Sequence, residues 1–256
     1  FLGNGFGIQA WSDTNGDGPW TGTNVTDWMK PDIYIDLAKN LERGGFDYIL
    51  IEDTAMVEDS YRGTADTSLR RGFMAPKNDP MPLVPLMTQA TKHIGIVPTF
   101  STIQYPPYLA ARLGTTLDHL TEGRIGMNVV TSVTDRVAQN YGYEQHLDHD
   151  ERYRMAIEWA DVVKALQGSW EPGAVVADPV AGVYADHTEV HPIDHRGECV
   201  RSGGPRNAIR GPQGGGPSCA AGGSEMGRQL AARHDGTMIA LSKRPESAKA
   251  YRDDMR

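Results

Sequence analysis

Small polar residues follow the apolar runs of this sequence where the carboxyl ends of β-strands are expected. Ile94 to Phe100 and Arg124 to Val130 are short, apolar and rich in strand-forming residues. A helix that Pro106-Pro107 can start and Gly123 can stop lies between them, which predicts a β–α–β unit of a parallel sheet. Functional groups of such sheets lie at the carboxyl ends of the strands. The polar residues at these two ends are Thr99, Ser101, Asn128, Thr131 and Ser132.

A histidine and a tyrosine four residues apart mark the next predicted helix, His149 to Leu166. His149 and Tyr153 share one face of its first turns, beside backbone N–H groups that suit an anion. Asp148 and Glu151 have the spacing of a capping box. The alternative is a capped helix start with a packed tyrosine, and the residues alone leave both open.

A glycine-rich stretch precedes a later helix, predicted from Ser224 to His234. Gly222 to Gly227, which includes Gly223, places small residues and a hydroxyl where a helix N-terminus could bind phosphate. An ordinary serine N-cap is the alternative. The stretch misses the spacing of a nucleophile elbow, and the sequence has neither a dinucleotide fingerprint after a strand nor a Walker loop.

Two further groups invite a functional interpretation. His187, His191 and His195 could bind a metal, but Pro192 argues against the helix that would align them, so we predict no metal site. Asp53 ends an apolar run and could contact a ligand or simply form a turn.

Length, charge and cysteine content limit the class of protein. The 256 residues suit one α/β barrel, and a net charge of −8 without a basic stripe makes nucleic acid an unexpected partner. No apolar run is long enough to cross a membrane, so we expect no membrane partner. Cys199 and Cys219 form no paired motif, which favours a reducing cytoplasm as the compartment.

The order of elements alternates strands and helices. The other predicted strands are Phe6–Trp11, Phe46–Ile51 and Thr237–Leu241, and the other helices are Asp32–Arg43, Pro80–Thr91 and one from about Pro245. The patterns also place Leu109, Leu113, Leu117 and Leu120 on one apolar stripe, and Ile33, Leu37 and Leu41 on another. Short alternating pieces between residues 170 and 205 predict an inserted β excursion, and the composition of 203–223 suggests a linker. About six βα units cannot close a barrel of eight, so we expect a single incomplete domain over 1–256, a piece of a longer protein.

Several motifs in order along the chain resemble the bacterial-luciferase-like, FMN-dependent monooxygenases. They match the branch of nitrilotriacetate, dibenzothiophene sulfone, dimethyl sulfide and long-chain alkane monooxygenases. The matching stretches are Leu41-Glu42-Arg43-Gly44, Glu58-Asp59-Ser60-Tyr61, Asn78-Asp79-Pro80, Tyr105-Pro106-Pro107-Tyr108, Thr116 to Leu120, Asn128 to Ser132, His149 to Tyr153, Val190 to Gly197 and Ala221 to Ser224.

The resemblance implies a (β/α)₈ TIM barrel with an inserted segment that binds reduced FMN, FMNH₂, and uses O₂ as co-substrate. A separate NAD(P)H:flavin reductase would supply the cofactor, and a homo-oligomer is expected. The resemblance also implies that Ser218 to Ala221 is strand five. It places Asp53 and Thr99 along the flavin ring, Asn128 and Ser132 at ring or ribityl oxygens, and His149, Tyr153, Gly223 and Ser224 at the ribityl–phosphate end.

Four places depart from the family pattern. Pro19-Trp20-Thr21-Gly22 replaces a Trp-Arg-His-Pro-like signature, and Met127 stands where a tryptophan is usual. Cys219-Ala220-Ala221 replaces a more apolar strand, and Glu198-Cys199 replaces a more aromatic pair. The first departure predicts a different substrate wall.

The leading hypothesis is therefore a two-component FMNH₂-dependent monooxygenase acting on a small organic substrate. Because oxygen chemistry belongs to the cofactor, the sequence needs no nucleophile or metal of its own. The rivals are a luciferase-like enzyme with a deazaflavin or another flavin, a metal-dependent barrel hydrolase built on the histidines, and a homologue that binds flavin without turnover.

Overall fold

A computed structural model describes residues 2–3, 29–221, 224–234, 236–239, 242 and 244–254. Within it the chain forms two compact units. The first unit comprises Phe1–Thr99 and Val133–His146, and the second comprises Phe100–Ser132 and Leu147–Arg256. The predicted strand Phe6–Trp11 lies outside the described residues, as does the stretch Pro19-Trp20-Thr21-Gly22. The assignment of 1–256 to one barrel domain with an insert over 170–205 stays a prediction.

The helices and strands alternate as predicted. The helices are α1 (Pro31–Arg43), α2 (Asp66–Arg71), α3 (Leu83–Gln89), α4 (Pro107–Leu120), α5 (Asp135–Asn140), α6 (His149–Gln167), α7 (Glu225–His234) and α8 (Pro245–Asp254). The strands are β1 (Leu2–Gly3), β2 (Tyr48–Glu52), β3 (Gly95–Ser101), β4 (Met127–Val130), β5 (Val175–Asp178), β6 (Val183–Ala185), β7 (His195–Arg196), β8 (Arg201–Ser202), β9 (Ser218–Ala221) and β10 (Gly236–Ile239). Sequence analysis missed the short helices α2 and α5.

The first unit is built on parallel strands in chain order. β1 pairs with β2, and β2 pairs with β3 in the register Ile51↔Pro98. Apolar residues of β2 and β3 and the buried side of α3 form its core, among them Ile49, Ile51, Val84, Met87 and Ile96. α1 packs on α3. A parallel sheet covered by helices explains why these strands are almost continuously apolar.

The second unit repeats this plan. β9 pairs in parallel with both β4 and β10, so the strand at Ser218–Ala221 is confirmed. α6 packs against α4 and α7, and α7 lies on β9 and β10. Trp159 and Leu166 of α6 are fully buried. The parallel strands of the described residues thus follow chain order within each unit and number six, short of the eight of a closed barrel.

The apolar stripes predicted on two helices are only partly buried. On α4, Leu117 is buried as predicted, but Leu109 and Leu120 are about half exposed, and the rest of the buried face includes Ala110, Ala111 and Gly114. Small residues therefore make up much of the buried face of α4, and Gly114 lies against the side chain of Met127 on β4. On α1 the buried residues are Tyr34 and Ala38 rather than the Ile33 stripe.

The residues between 170 and 217 form ordered structure. β5 pairs with β6 and β7 pairs with β8, both antiparallel, as the predicted β excursion requires. The glycine-rich segment after them is not a linker, because it lies within one unit and is fastened to it. Arg206 is fully buried, and its guanidinium donates to the carbonyls of Ala208 and Ile209 and to Thr115 Oγ1. Gln213 Nε2 donates to Asp118 Oδ1 at 2.7 Å.

None of the described helices combines the length and apolar character that a membrane crossing requires.

Candidate functional site

The carboxyl end of β2 carries charged groups in the first unit. Glu52, the last residue of the strand, forms an ion pair of 2.8 Å with Lys77. The two side chains are only 12% and 8% exposed, so this pair is largely shielded from water. Lys77 lies in the polar segment after β2, where no motif marked it for sequence analysis.

Asp53 directly follows Glu52, and the pKa of its carboxyl is raised. Burial raises the pKa of Asp53 from 3.8 to about 6; the positive charge of Lys77 opposes this rise, and the negative charges of Asp79 and Glu52 add to it. The pKa of the Tyr141 hydroxyl is also raised, first by burial and then by Asp53 and Asp79. A carboxyl with a pKa of about 6 exists in both protonation states near neutral pH, so it can accept or donate a hydrogen bond.

Thr99 lies on the neighbouring strand of the same unit and is buried. Its Oγ1 donates to the carbonyl of Ile51 at 2.7 Å, which ties β3 to β2. The structure thus brings Thr99 and Asp53 to the ends of two paired strands. The oxygen of Thr99 still has lone pairs that can accept a hydrogen bond.

Neutral hydroxyl and amide groups occupy the strand ends of the second unit. Ser132 Oγ lies 2.8 Å from Ser101 Oγ, and Asn128 is buried on β4. Ser132 has φ = +54°, a left-handed conformation that costs a residue with a side chain about 1–2 kcal/mol. Thr102 donates its backbone N–H to the carbonyl of Val130 at 3.0 Å.

Thr102 also carries a buried hydroxyl without a partner among the described residues. The residue is 6% exposed, and no hydrogen bond reaches its Oγ1. An unmet hydroxyl inside a protein costs about 1–3 kcal/mol, so its environment favours an incoming polar group. Ser101 was noted at a strand end in the sequence but not assigned to the site, and Thr102 was missed because its burial has no sequence signal.

His149 and Tyr153 lie on one face of α6, as their spacing predicted. Their ring centroids are 4.9 Å apart, with His149 exposed and Tyr153 buried. His149 Nδ1 lies 2.8 Å from Asp150 Oδ1. The predicted capping box is wrong, since Asp148 occupies the N-cap position without any side-chain cap hydrogen bond. The side chain of Asp148 therefore does not accept a hydrogen bond from the backbone N–H groups at the start of α6.

Ser224 precedes α7, and its Oγ accepts the backbone N–H of Gly227 at 3.1 Å. This is the N-cap geometry, and the hydroxyl hydrogen remains able to donate. Gly222 and Gly223 lie outside the described residues. Because β4 and β9 are paired and parallel, their carboxyl ends, at Val130 and Ala221, lie at the same edge of the sheet.

Two of the three histidines considered as metal ligands each lie near a different carboxylate. His195 Nε2 lies 2.9 Å from Glu158 Oε1, and His191 Nε2 lies 3.6 Å from Glu171 Oε1. Glu158 also accepts the backbone N–H groups of Cys199 and Val200, which fastens the β7–β8 hairpin to α6. Within the part of the chain that the structure describes, no three His, Cys, Asp or Glu side chains are arranged to hold a metal ion.

Comparisons with known proteins agree on one family. The family model described as luciferase-like monooxygenase matches residues 9–256. The chain is 40% identical over 245 residues to dibenzothiophene-sulfone monooxygenase of Rhodococcus erythropolis, covering 95% of this chain and 54% of that relative. It is 37% identical over 229 residues to nitrilotriacetate monooxygenase component A of Aminobacter aminovorans, covering 87% and 50%. The resemblance to this branch is therefore confirmed.

A solved structure gives the same result for the fold. The crystal structure of a riboflavin lyase with modified FMN and riboflavin superposes with a TM-score of 0.83 at 33% identity, covering 89% of this chain and 51% of that one. The chain spans about half the length of the curated relatives it matches. An α/β fold of TIM-barrel type with an incomplete parallel sheet is thus confirmed, and the chain belongs to the luciferase-like monooxygenase family.

Proposed function

We propose that the chain is the oxygenating part of a two-component flavin-dependent monooxygenase, with FMNH₂ as cofactor, O₂ as co-substrate and a small organic molecule as substrate. The family match over residues 9–256 carries this proposal. A relative named as component A of a monooxygenase supports a separate NAD(P)H:flavin reductase as partner. A homo-oligomer and a cytoplasmic location remain predictions.

The donors of the second unit fit a flavin. A flavin ring presents carbonyl oxygens and ring nitrogens without formal charge on most of its edge, and neutral hydroxyl and amide groups suit them. Ser101, Thr102, Asn128 and Ser132 are such groups, and the Thr102 hydroxyl has no partner of its own. A reduced flavin supplies the activation of O₂, and the protein supplies binding, orientation and exclusion of water.

The roles of the side chains follow from their protonation and hydrogen bonds. In this proposal Asn128 and Ser132 hold ring or ribityl oxygens, and Asp53 and Thr99 lie along the ring. Asp53 can hold a proton near neutral pH, because the pKa of its carboxyl is raised to about 6 by burial. Below about pH 6 it is mainly protonated and can donate to a polar ring edge, and above that pH the carboxylate can only accept a hydrogen bond.

The phosphate end is assigned to His149, Tyr153, Gly223 and Ser224. Tyr153 can donate its phenolic O–H, and Ser224 can donate its hydroxyl while it accepts from Gly227. A phosphate dianion gains roughly 1.5–3 kcal/mol from each such hydrogen bond. The start of the 19-residue helix α6 adds a favourable dipole.

Binding of FMN and riboflavin separates this assignment from a capping role. Tyr153→Phe and Ser224→Ala should each weaken FMN binding about ten- to a hundredfold by fluorescence titration. Riboflavin lacks the phosphate and should bind all three proteins about equally. Tyr184→Phe changes an exposed tyrosine and should leave both affinities unchanged. A parallel loss for both ligands would assign the two residues to structure instead.

A further inference from the structure

Negative charge is concentrated at the start of α6 in the second unit. Asp148 occupies the N-cap position, Asp150 and Glu151 lie in the first turn, and all three residues are exposed. A phosphate dianion beside this turn would be repelled by each carboxylate. The helix dipole, which is equivalent to about half a positive charge, cannot balance three of them. A phosphate that binds here therefore needs a cation close to it.

Two basic side chains of these turns already lie beside carboxylates. His149 Nδ1 is 2.8 Å from Asp150 Oδ1, and Arg154 Nη2 is 3.9 Å from Glu151 Oε1. Arg152 is different, because it forms no ion pair with any residue that the structure describes. Its positive charge is therefore not balanced by contact with a carboxylate.

Arg152 has the usual helix spacing for an ion pair with Asp148, but it makes a different contact. Acidic and basic residues four apart on a helix commonly pair. Here Arg152 Nη1 instead donates to the carbonyl of Leu147 at 3.1 Å. Leu147 directly precedes the N-cap residue, so the guanidinium lies beside the start of α6.

The guanidinium of Arg152 also keeps a donor without an acceptor. Its Nε is buried, and no hydrogen bond from Nε reaches another described residue, although the residue as a whole is only half-buried. The buried Arg206 of the same unit, by contrast, donates to two carbonyls and a hydroxyl. Leaving a donor of a charged group unpaired inside a protein is costly. The oxygens of a phosphate match the planar fork of an arginine and would remove this cost.

We propose that Arg152 is a further residue of the FMN site and that its guanidinium binds the phosphate beside Tyr153. The proposal rests on the proposed function and extends the phosphate end described there. Adjacent residues of a helix point about 100° apart, so spacing alone would direct Arg152 away from Tyr153. The contact with Leu147 brings the guanidinium back to the helix start, and the packing of Tyr153 on His149 directs its ring toward the same turn.

The affinities for FMN and riboflavin test this role, because the two flavins differ by the phosphate. Arg152→Gln should weaken FMN binding at least about tenfold by fluorescence titration, since the phosphate loses a charged partner. Riboflavin should bind the parent and the variant within about twofold. An increase in NaCl from about 10 mM to about 1 M should weaken FMN binding by the parent severalfold, because salt screens the attraction between guanidinium and phosphate.

Two further variants separate a specific contact from net charge. Arg154→Gln is the matched control, because it removes the same charge from an exposed side chain of the same helix. It should change the affinity for FMN by less than about threefold. Arg152→Lys keeps the charge without the planar fork and should recover part of the lost affinity. Equal losses in the two glutamine variants would overturn the proposal.

The ionisation of bound FMN gives a second readout. A nearby cation favours the dianion, so the pKa of the bound phosphate should be lower on the parent than on Arg152→Gln when both are saturated with FMN. Phosphorus NMR across a pH titration measures this difference, which a residue that only supports the fold would not produce. Equal phosphate pKa values on the two proteins would contradict a contact with Arg152.

The remaining outcomes separate the role of Arg152 from the proposed function. If FMN binds parent and Arg152→Gln equally well, or if both flavins lose affinity in parallel, flavin binding stands and the role of Arg152 is overturned. If the parent binds neither flavin, the proposed function is overturned and the role of Arg152 with it. If Arg152→Gln does not fold, the parent alone decides, and FMN binding that responds to salt no more than riboflavin binding overturns the role.

Discussion

The carboxyl ends of β2 and β4 both carry polar groups, but those of β2 are charged and those of β4 are neutral. β2 ends in charge, with a shielded Glu52–Lys77 ion pair and an Asp53 carboxyl whose pKa is raised to about 6. β4 ends in neutral groups, with Asn128 and the Ser101–Ser132 pair. The first arrangement depends on pH and on charge balance, whereas the second depends on hydrogen-bond geometry and a strained backbone at Ser132. The two ends should therefore respond differently to substitution and to pH.

The largest expected effect is removal of the cation at the end of β2. Lys77→Met leaves the Glu52 carboxylate shielded without a partner and should lower the free energy of unfolding by about 3–5 kcal/mol. Arg136→Met is the matched control, because the Arg136–Asp59 pair is 52% and 28% exposed and should cost less than about 1 kcal/mol. Urea unfolding measures both. Equal losses would mean that the burial of the Glu52–Lys77 pair has no energetic consequence.

The second effect is a dependence of stability on pH at Asp53. Its folded pKa, about 6, lies above the ordinary value of 3.8, so the folded protein holds this proton more tightly than the unfolded chain. The contribution of the Asp53 carboxyl to the free energy of unfolding should fall as the pH rises from about 4 to about 6, and it should stay low above that range. Asp53→Asn should therefore stabilise the protein at about pH 7 by up to about 3 kcal/mol, and the gain should vanish near about pH 4.

Unfolding curves across that pH range check the sign, with the exposed Asp36→Asn as control. A gain for Asp53→Asn that stays constant with pH would show that its carboxyl does not titrate in this window.

The smallest effect concerns the neutral end. Ser132→Ala and Ser132→Gly both remove the hydroxyl that pairs with Ser101, but only glycine adopts φ = +54° without strain. Ser132→Gly should therefore be more stable than Ser132→Ala by about 1 kcal/mol in chemical denaturation. Both should weaken FMN binding by a similar factor of about two to ten. A less stable glycine variant would show that Ser132 is unstrained.

The alternation of strands and helices could be predicted from the sequence, because apolar runs and the residues that start or stop helices are signals between neighbouring residues. β9 shows the limit of local patterns, since Ser-Cys-Ala-Ala is a poor strand by itself and was assigned through the family resemblance. The predicted buried faces of the helices were only partly correct, for a different reason. On α4, Ala110, Gly114 and Leu117 are buried while Leu109 and Leu120 are about half exposed, and small residues on a buried face carry little apolar signal in the sequence.

The residues of the candidate site also separate into those that the sequence could predict and those that it could not. Thr99, Asn128 and Ser132 could be predicted as candidates because they lie near or just after the ends of apolar runs that form strands. Lys77 and Thr102 could not, since the burial of an ion pair and of an unpartnered hydroxyl is set by residues distant in sequence. The Asp148 capping box failed because correct spacing does not fix the rotamer of a side chain.

Transfer of oxygen from labelled O₂ tests the central claim most directly. The chain is supplied with FMN, NADH and an unrelated flavin reductase, and a panel of sulfones, sulfides and alkanes is screened for labelled product by mass spectrometry. We predict labelled product only when the chain and the reductase are both present, and no rapid NADH oxidation by the chain alone. Brisk NADH oxidation without the reductase, or no labelled product from any substrate by a chain that binds FMN, would contradict a two-component monooxygenase.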